Sequence, residues 1–473
     1  MSNPRIRHNS EHRLHLKLAD WIASRRIFGF SDSNQQFVDS KMRLINTETL
    51  EMHEFLPAHI PRYAILSHRW QEEEVSFKQY TKRQKYPEIQ RLKGFAKIEQ
   101  FCRIARERRK EWAWIDTCCI DSRSSAELSE AINSMWRWYN DAAECYIYLC
   151  DVHMKDDFSD VLAQVERSEW FTRGWTLQEL LAPRFRVLFT AKWVKIGFVK
   201  SWPDYQISRS SGKGFSNNEE CSQSLEHKVS RIANVPLSCL VSLSVESFSV
   251  GERLSWSANR RTSRPEDVAY SLMGILGVNM PLLYGEGEQK AFIRLQLELL
   301  KKSNDTSLFA WDFHEDSKLI SGGLLALSPA NFARFHRGPN EYHYHWISAL
   351  LPFQESEVSR APVLAPTMMT NRGLYLKAEA YRMHSHKASW GRVLWCIPLS
   401  RQRRAILLAH PAGLDPRCTP VSATRTFLLG LDVLSEKGLF LLDSATAEIS
   451  DTEDFDASLS LEVCEFYVEQ DYV

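Results

Sequence analysis

Tyr63-Ala64-Ile65-Leu66-Ser67 follows Pro61 and runs into the polar triplet His68-Arg69-Trp70. A short apolar run between a proline and polar residues reads as a buried strand with polar side chains at its carboxyl end. The same design recurs downstream. Trp112-Ala113-Trp114-Ile115 ends at Asp116, and Cys145-Tyr146-Ile147-Tyr148-Leu149 ends just before Asp151. Phe185-Arg186-Val187-Leu188-Phe189 is a fourth strand, and Trp193-Val194-Lys195-Ile196 a fifth. Helical patterns separate them. Residues 94–109 align Phe95, Ile98, Phe101, Cys102 and Ala105 on one face. Ser124 and Glu127 spell an S-x-x-E capping box, followed by Leu128, Ala131, Ile132, Met135 and Tyr139 on one face. A short helix starts near Thr176 and stops before Pro183. This alternation predicts an α/β domain built on a doubly wound, mostly parallel sheet.

Outward from that core the pattern changes. Residues 1–41 form a basic leader with Leu14, Leu18, Trp21 and Ile22 at helical spacing. It reads as a peripheral helix or frayed tail, or as a helix for a partner or a membrane surface. The Ser-, Gly- and Asn-rich stretch 203–224 predicts a flexible loop. Residues 225–317 read as a helical extension. There Pro265, Glu266 and Asp267 open a helix carrying Val268, Leu272, Met273, Ile275 and Leu276, and Gly277 closes it. A longer helix runs from Glu288 to Lys302. From 318 to 473 the runs at Leu374/Leu376, 393–397, 405–408, 427–431 and 439–442 predict a β-rich C-terminal domain. The α/β domain itself spans 42–202.

Composition bounds the function. A length of 473 residues allows roughly two to four domains. With 44% hydrophobic and 25% charged residues the chain is globular, which excludes disordered and collagenous classes. Lys+Arg and Asp+Glu are 59 each, so no global footprint for nucleic acid exists. There is no apolar run of about 18 residues and therefore no transmembrane segment. Ten scattered cysteines without an export signal read as reduced thiols in a cytosolic or nuclear protein, and the expected location is cytoplasmic. Fifteen tryptophans point to a large aromatic core.

Standard catalytic signatures are absent. The chain lacks a phosphate loop, a G-x-G-x-x-G fingerprint, an H-E-x-x-H helix and a nucleophile elbow. Metal-ligand spacing is weak. Cys118 and Cys119 are adjacent, Cys150 and His153 lack a second pair, and His343 and His345 read as an exposed pair or a two-ligand ion site. Position says more. In an open α/β sheet, ligands bind outside the carboxyl ends of the strands. Ser67, His68 and Arg69, Asp116 and Asp121, and Asp151 occupy those ends. They line a crevice, or else they cap turns and helices. Glu179 has two readings as well. Thr176 and Glu179 spell a T-x-x-E capping box, whereas a carboxylate in an aromatic crevice would stabilise an oxocarbenium-like transition state.

Five motifs carry a family resemblance. They are Met42-Arg43-Leu44-Ile45-Asn46-Thr47, Tyr63 to Trp70, Trp114-Ile115-Asp116-Thr117-Cys118-Cys119-Ile120-Asp121, Ser125 to Met135, and Trp170-Phe171-Thr172-Arg173-Gly174-Trp175-Thr176-Leu177-Gln178-Glu179-Leu180. In this order they resemble the fungal heterokaryon incompatibility (HET) domain. Weaker echoes follow at Arg253–Trp256, Arg264–Leu272 and Asn279–Gly287. The resemblance implies nonself recognition, with the domain triggering programmed cell death through protein contacts and self-association, as in innate immunity, and with no cofactor required. Similar proteins begin at the equivalent of Met42, so residues 1–41 are an extension or follow from a mis-set start codon. HET domains are in turn distantly similar to TIR domains, some of which hydrolyse NAD. Trp175-Thr176-Leu177-Gln178-Glu179-Leu180 resembles their W-C-L-x-E-L run, with Thr176 in place of Cys. That likeness makes Glu179 the catalytic candidate and NAD a candidate substrate. Ser67, His68, Arg69 and Trp70 would line the pocket with Asp116, Asp121, Asp151 and Trp175. The two functional readings are thus an effector acting by protein contacts and an NAD glycohydrolase.

Overall fold

A computed structural model describes residues 41–201, 223–242 and 245–311, and beyond them 321–322, 324–333, 335, 367–370, 373–383, 392–399, 404–411, 422–428, 434–435, 438–439 and 460–468. The basic leader, most of the 203–224 loop and the His343/His345 pair lie outside the described residues.

The first strand of the alternation is β3 (Tyr63–His68), and all six of its residues are buried. Two strands precede it that alternation did not foresee: β1 (Met42–Asn46) and β2 (Met52–Phe55), an antiparallel hairpin. After β3 come helices α1 (Phe77–Lys82) and α2 (Lys93–Glu107), then β4 (Trp112–Trp114). Helices α3 (Asp116–Cys119) and α4 (Ser125–Asp141) lead to β5 (Glu144–Tyr148). Helices α5 (Phe158–Arg167) and α6 (Trp175–Leu181) lead to β6 (Phe185–Phe189), followed by β7 (Lys195–Lys200) and β8 (Gln223–Ser224).

The eight strands lie in the order β2-β1-β4-β3-β5-β6-β7-β8. The centre, β4-β3-β5-β6, is parallel throughout. Antiparallel ladders join β1 to β4 and β6 to β7, so the sheet is mixed with a parallel heart. The fifth expected strand, at 193–196, begins two residues later, because Trp193 takes a left-handed φ of 60° in the turn that reverses the chain. The chain crosses from β3 to β4 on one side and later returns to place β5 on the other. That reversal makes the carboxyl end of β3 a topological switch point, the place where open α/β sheets bind ligands.

Local chemistry explains the helices. In α2 the expected face is buried, with Phe95, Ile98, Phe101, Cys102 and Ala105 all at 3% exposure or less. Each large member contributes about 1.5–3 kcal/mol by leaving water. Ser124 caps α4 by accepting from the Glu127 N–H, but the box is half formed. The Glu127 carboxylate instead accepts from the Asp121 N–H at 2.7 Å and pairs with Arg43 of β1. Tyr63 and Tyr139 tie α4 to β3, donating to the carbonyls of Trp138 (2.5 Å) and Leu66 (3.0 Å).

Gly94 permits a close approach of α2 to the loop after β3. A Cβ there would lie 2.6 Å from the Glu73 carbonyl oxygen and 2.9 Å from Glu74 Cα and Val75 N. These are backbone atoms that cannot swing aside. Gly94→Ala is expected to cost about 1–3 kcal/mol by overpacking, outweighing the roughly 1 kcal/mol that alanine gains in helix propensity. A denaturation midpoint at or above wild type would show that the loop yields freely.

The extension contains α7 (Glu226–Ala233), α8 (Leu237–Ser242), α9 (Val250–Ser255), α10 (Asp267–Tyr270), α11 (Met273–Leu276) and α12 (Glu288–Lys302). The helix expected after Pro265 is divided into α10 and α11, and Gly277 closes the second with a left-handed φ of 69°. Towards the C-terminus the described strands form an antiparallel sheet. It comprises β9 (Ser321–Gly322), β10 (Met368–Thr370), β11 (Gly373–Met383), β12 (Arg392–Leu399), β13 (Arg404–Pro411), β14 (Ser422–Leu428) and β17 (Ser460–Val468). A small hairpin, β15 (Leu434–Ser435) and β16 (Gly438–Leu439), stands apart from it.

Candidate functional site

The carboxyl end of β3 meets the N-terminal half of α6. Ser67 is fully buried, and its hydroxyl donates to Glu179 Oε2 at 2.5 Å. Ser67 Oγ in turn accepts from the Trp170 indole N–H at 2.9 Å. Tyr139, whose hydroxyl donates to the Leu66 carbonyl at 3.0 Å, lies beside the Glu179 carboxyl group. Glu179 is therefore 6% exposed and plays no capping role. Gly174 is the N-cap of α6, and Thr176 lies inside the helix, where its hydroxyl donates to the Trp170 carbonyl at 2.6 Å. The T-x-x-E reading is thereby overturned, since the glutamate faces the sheet rather than the helix start.

Burial sets the electrostatics. Removal from water pushes the Glu179 carboxyl up to about 8, and the nearby Asp116 charge adds to the rise. The hydrogen bond from Ser67, the neighbouring Tyr139 hydroxyl and the charge of Arg173 oppose it. Asp116 is raised to about 6, again mainly by burial, against the hydrogen bond it accepts from the Trp70 indole at 2.7 Å. Both carboxyl groups are thus held above the ordinary carboxylate range, Glu179 further than Asp116.

His68 lies between two acids. Its Nδ1 is 3.8 Å from Asp116 Oδ1 and its Nε2 is 3.7 Å from Glu74 Oε1, both beyond hydrogen-bonding distance. Neither ring nitrogen has a hydrogen-bond partner among the described residues. Burial, helped by the charge of Lys97, holds the imidazole well below its ordinary value, so it is neutral at pH 7. Lys97 forms an ion pair with Glu74.

The structure brings together Ser67, His68, Trp70, Asp116 and Glu179. The other expected members go elsewhere. Arg69 pairs with Glu169 at the surface. Asp121 turns outward to Arg123, at 2.6 and 2.7 Å, which lowers its proton affinity. Asp151 accepts from Ser168 Oγ (2.7 Å) and the Glu169 N–H (2.8 Å), a capping role. Trp175 donates its indole N–H to Asp267 of α10 at 3.1 Å, tying the α/β domain to the extension. Cys150 and His153 gain no further ligands, since no group of three metal-ligating side chains occurs among the described residues.

Trp170, Tyr139, Glu74 and Lys97 were not foreseen as members. Lys97 left a usable signal. It falls three residues after Gly94 and four before Phe101, on the buried face of α2, where an unpaired lysine is costly. Trp170 opens the fifth family motif, but nothing in its local spacing marked it as a partner of Ser67.

The family model described as Heterokaryon incompatibility protein (HET) matches residues 63–161. Vegetative incompatibility protein HET-E-1 of Podospora anserina is 39% identical over 300 residues, which is 60% of this chain and 20% of that protein. The chain therefore spans about a fifth of the length of the curated relative it matches. No solved structure matches.

Proposed function

The chain carries a HET domain, and from that premise we propose that it acts in fungal heterokaryon incompatibility, with this domain triggering cell death through protein contacts and self-association. The supporting observation is the rim of the sheet. Trp70, Met154 and Val194 are 55%, 46% and 42% exposed, and they follow the carboxyl ends of β3, β5 and β6. The loops bearing Met154 and Val194 are joined by the Ala191 N–H donating to the Val152 carbonyl at 2.8 Å. Exposed apolar side chains on braced loops suit a protein partner. The described residues include no helix long and apolar enough to cross a membrane, and a cytoplasmic setting fits this reading.

A second reading, a TIR-like NAD glycohydrolase, is favoured by the placement of Glu179 against Ser67, at the switch point of the sheet. Its difficulty is access, because Glu179 is enclosed by Ser67, Tyr139 and Trp170 and must be uncovered before it can meet a substrate. The test expresses the full chain in fungal cells and follows viability, NAD content and self-association together. Under the first reading, Met154→Asp/Val194→Asp abolishes killing and self-association, while Glu179→Gln kills with NAD unchanged. Killing accompanied by NAD loss that Glu179→Gln abolishes would replace it with the second.

A further inference from the structure

Arg260 follows α9 in the extension and reaches back to the start of α6. The backbone fixes its approach. The Arg261 N–H donates to the Thr172 carbonyl at 2.7 Å, and the Gly174 N–H donates to the Arg261 carbonyl at 2.9 Å. Arg173 and Trp175 add side-chain bonds to Ser263 Oγ and Asp267 Oδ2, both at 3.1 Å. Between these ties, Arg260 Nη1 donates to the Arg173 carbonyl at 2.9 Å and to Thr176 Oγ1 at 3.1 Å.

The other terminal nitrogen is unused. Arg260 Nη2 is buried and has no hydrogen-bond partner among the described residues. A buried donor without an acceptor is costly, so its retention beside the site asks for a reason. Thr176 and Glu179 stand three residues apart on α6 and share one face of the helix, where such neighbours lie about 5–6 Å apart. Because Arg260 bonds Thr176, its charge lies within about one helical turn of Glu179. Burial lowers the proton affinity of Arg260 to about 9, and the Glu179 charge opposes that fall. The other groups facing Glu179 serve it less well. Ser67 of β3 is neutral, and so are Tyr139 of α4 and Cys145 of β5, both raised well above their ordinary values by burial. Asp116 of α3 repels a second negative charge. Arg173 attracts one, but its Nη1 is turned to Ser263 at the surface.

We propose that Arg260 is the counter-ion that the extension supplies to the Glu179 carboxylate, and thus a positioning residue for this site. The assignment rests on the glycohydrolase reading, which needs Glu179 ionised. A buried carboxylate persists only when it is paired, and the spare Nη2 donor is the group that can pair it as a charge-assisted hydrogen bond.

The test is a double-mutant cycle on the full chain, with Arg260→Gln, Glu179→Gln and the pair, unfolded in urea at pH 5 and pH 8.5. A nearby opposite charge shifts a carboxyl group by about one to three units. For a shift of one unit, Arg260→Gln should lower the folding constant about threefold more at pH 8.5 than at pH 5. Glu179→Gln should abolish that difference, because glutamine carries no charge to pair. An arginine that only braces the structure would cost the same at both pH values and in both backgrounds, and that result overturns the proposal. If Arg260→Gln alone does not fold at pH 8.5, folding at pH 5 or together with Glu179→Gln supports the counter-ion, and failure in all three cases overturns it. No NAD is consumed in these measurements, so the coupling and the glycohydrolase reading can fail separately.

Discussion

Replacing Arg186 by methionine should cost a few kcal/mol, because it strands buried acceptors at about 1–3 kcal/mol each. Arg186 is the second residue of β6 and is fully buried. Its Nη1 donates to the Leu180 carbonyl at the end of α6 (2.8 Å). Its Nη2 donates to Ser201 Oγ and to the Leu240 carbonyl of α8, both at 3.0 Å. Its Nε reaches the Val199 carbonyl of β7 at 3.4 Å. One side chain therefore joins α6, β7 and α8 to the sheet. Burial lowers its proton affinity only to about 10, so the guanidinium stays charged at pH 7. Methionine fills the volume but donates nothing, and the stranded acceptors each cost about 1–3 kcal/mol unless water reaches them. The check is the denaturant midpoint of the full chain. A loss below about 1 kcal/mol would mean that solvent replaces the guanidinium, and that the α8 contact does not depend on it.

The contrast between fold and site has a physical basis. Strands β3, β5 and β6 were legible because a strand buried on both faces must be apolar along its length. Helices α2 and α4 were legible because one-sided burial imposes a 3.6-residue period. The β1–β2 hairpin left a weaker trace. Its burial alternates over only a few residues, and β2 is a half-exposed edge. The site was legible through position, since the carboxyl ends of parallel strands converge at a switch point whatever the residues are. That rule located Ser67, His68 and Asp116. It could not say which polar groups turn inward. Asp121 and Asp151 share the chemistry of Asp116 but found Arg123 and Ser168 first. Glu179 was misread locally for a related reason. A T-x-x-E spacing is compatible with capping, but the hydroxyl of Ser67, 112 residues away, competes for the same carboxyl group. Local patterns do not contain such distant competitors.

Glu179 itself yields the second large effect, because its burial makes folding depend on pH. In the unfolded chain it titrates near its ordinary value of 4.5, and in the folded chain near 8. Between those values the folded state holds the extra proton, so stability falls as pH rises. The contribution is fully present below about 4.5 and is lost as pH rises through about 8. Each tenfold difference in proton affinity is worth about 1.4 kcal/mol, so the whole swing is on the order of 5 kcal/mol. His68 acts in the opposite sense. Its lowered value means that the unfolded state takes up the proton below about 6.5, and stability rises with pH in that range. The wild-type profile mixes the two, but the difference between wild type and Glu179→Gln separates them, because His68 is present in both. Glutamine keeps an acceptor for the Ser67 hydroxyl and cannot ionise. Its advantage over wild type should grow from near zero at pH 5 to a few kcal/mol at pH 9, read from urea midpoints at intervals of one pH unit. Parallel profiles would mean that Glu179 reaches water and ionises at ordinary pH. That is the state the glycohydrolase reading requires, so a curve that fails this expectation would strengthen the chemical reading at the expense of the one based on contacts.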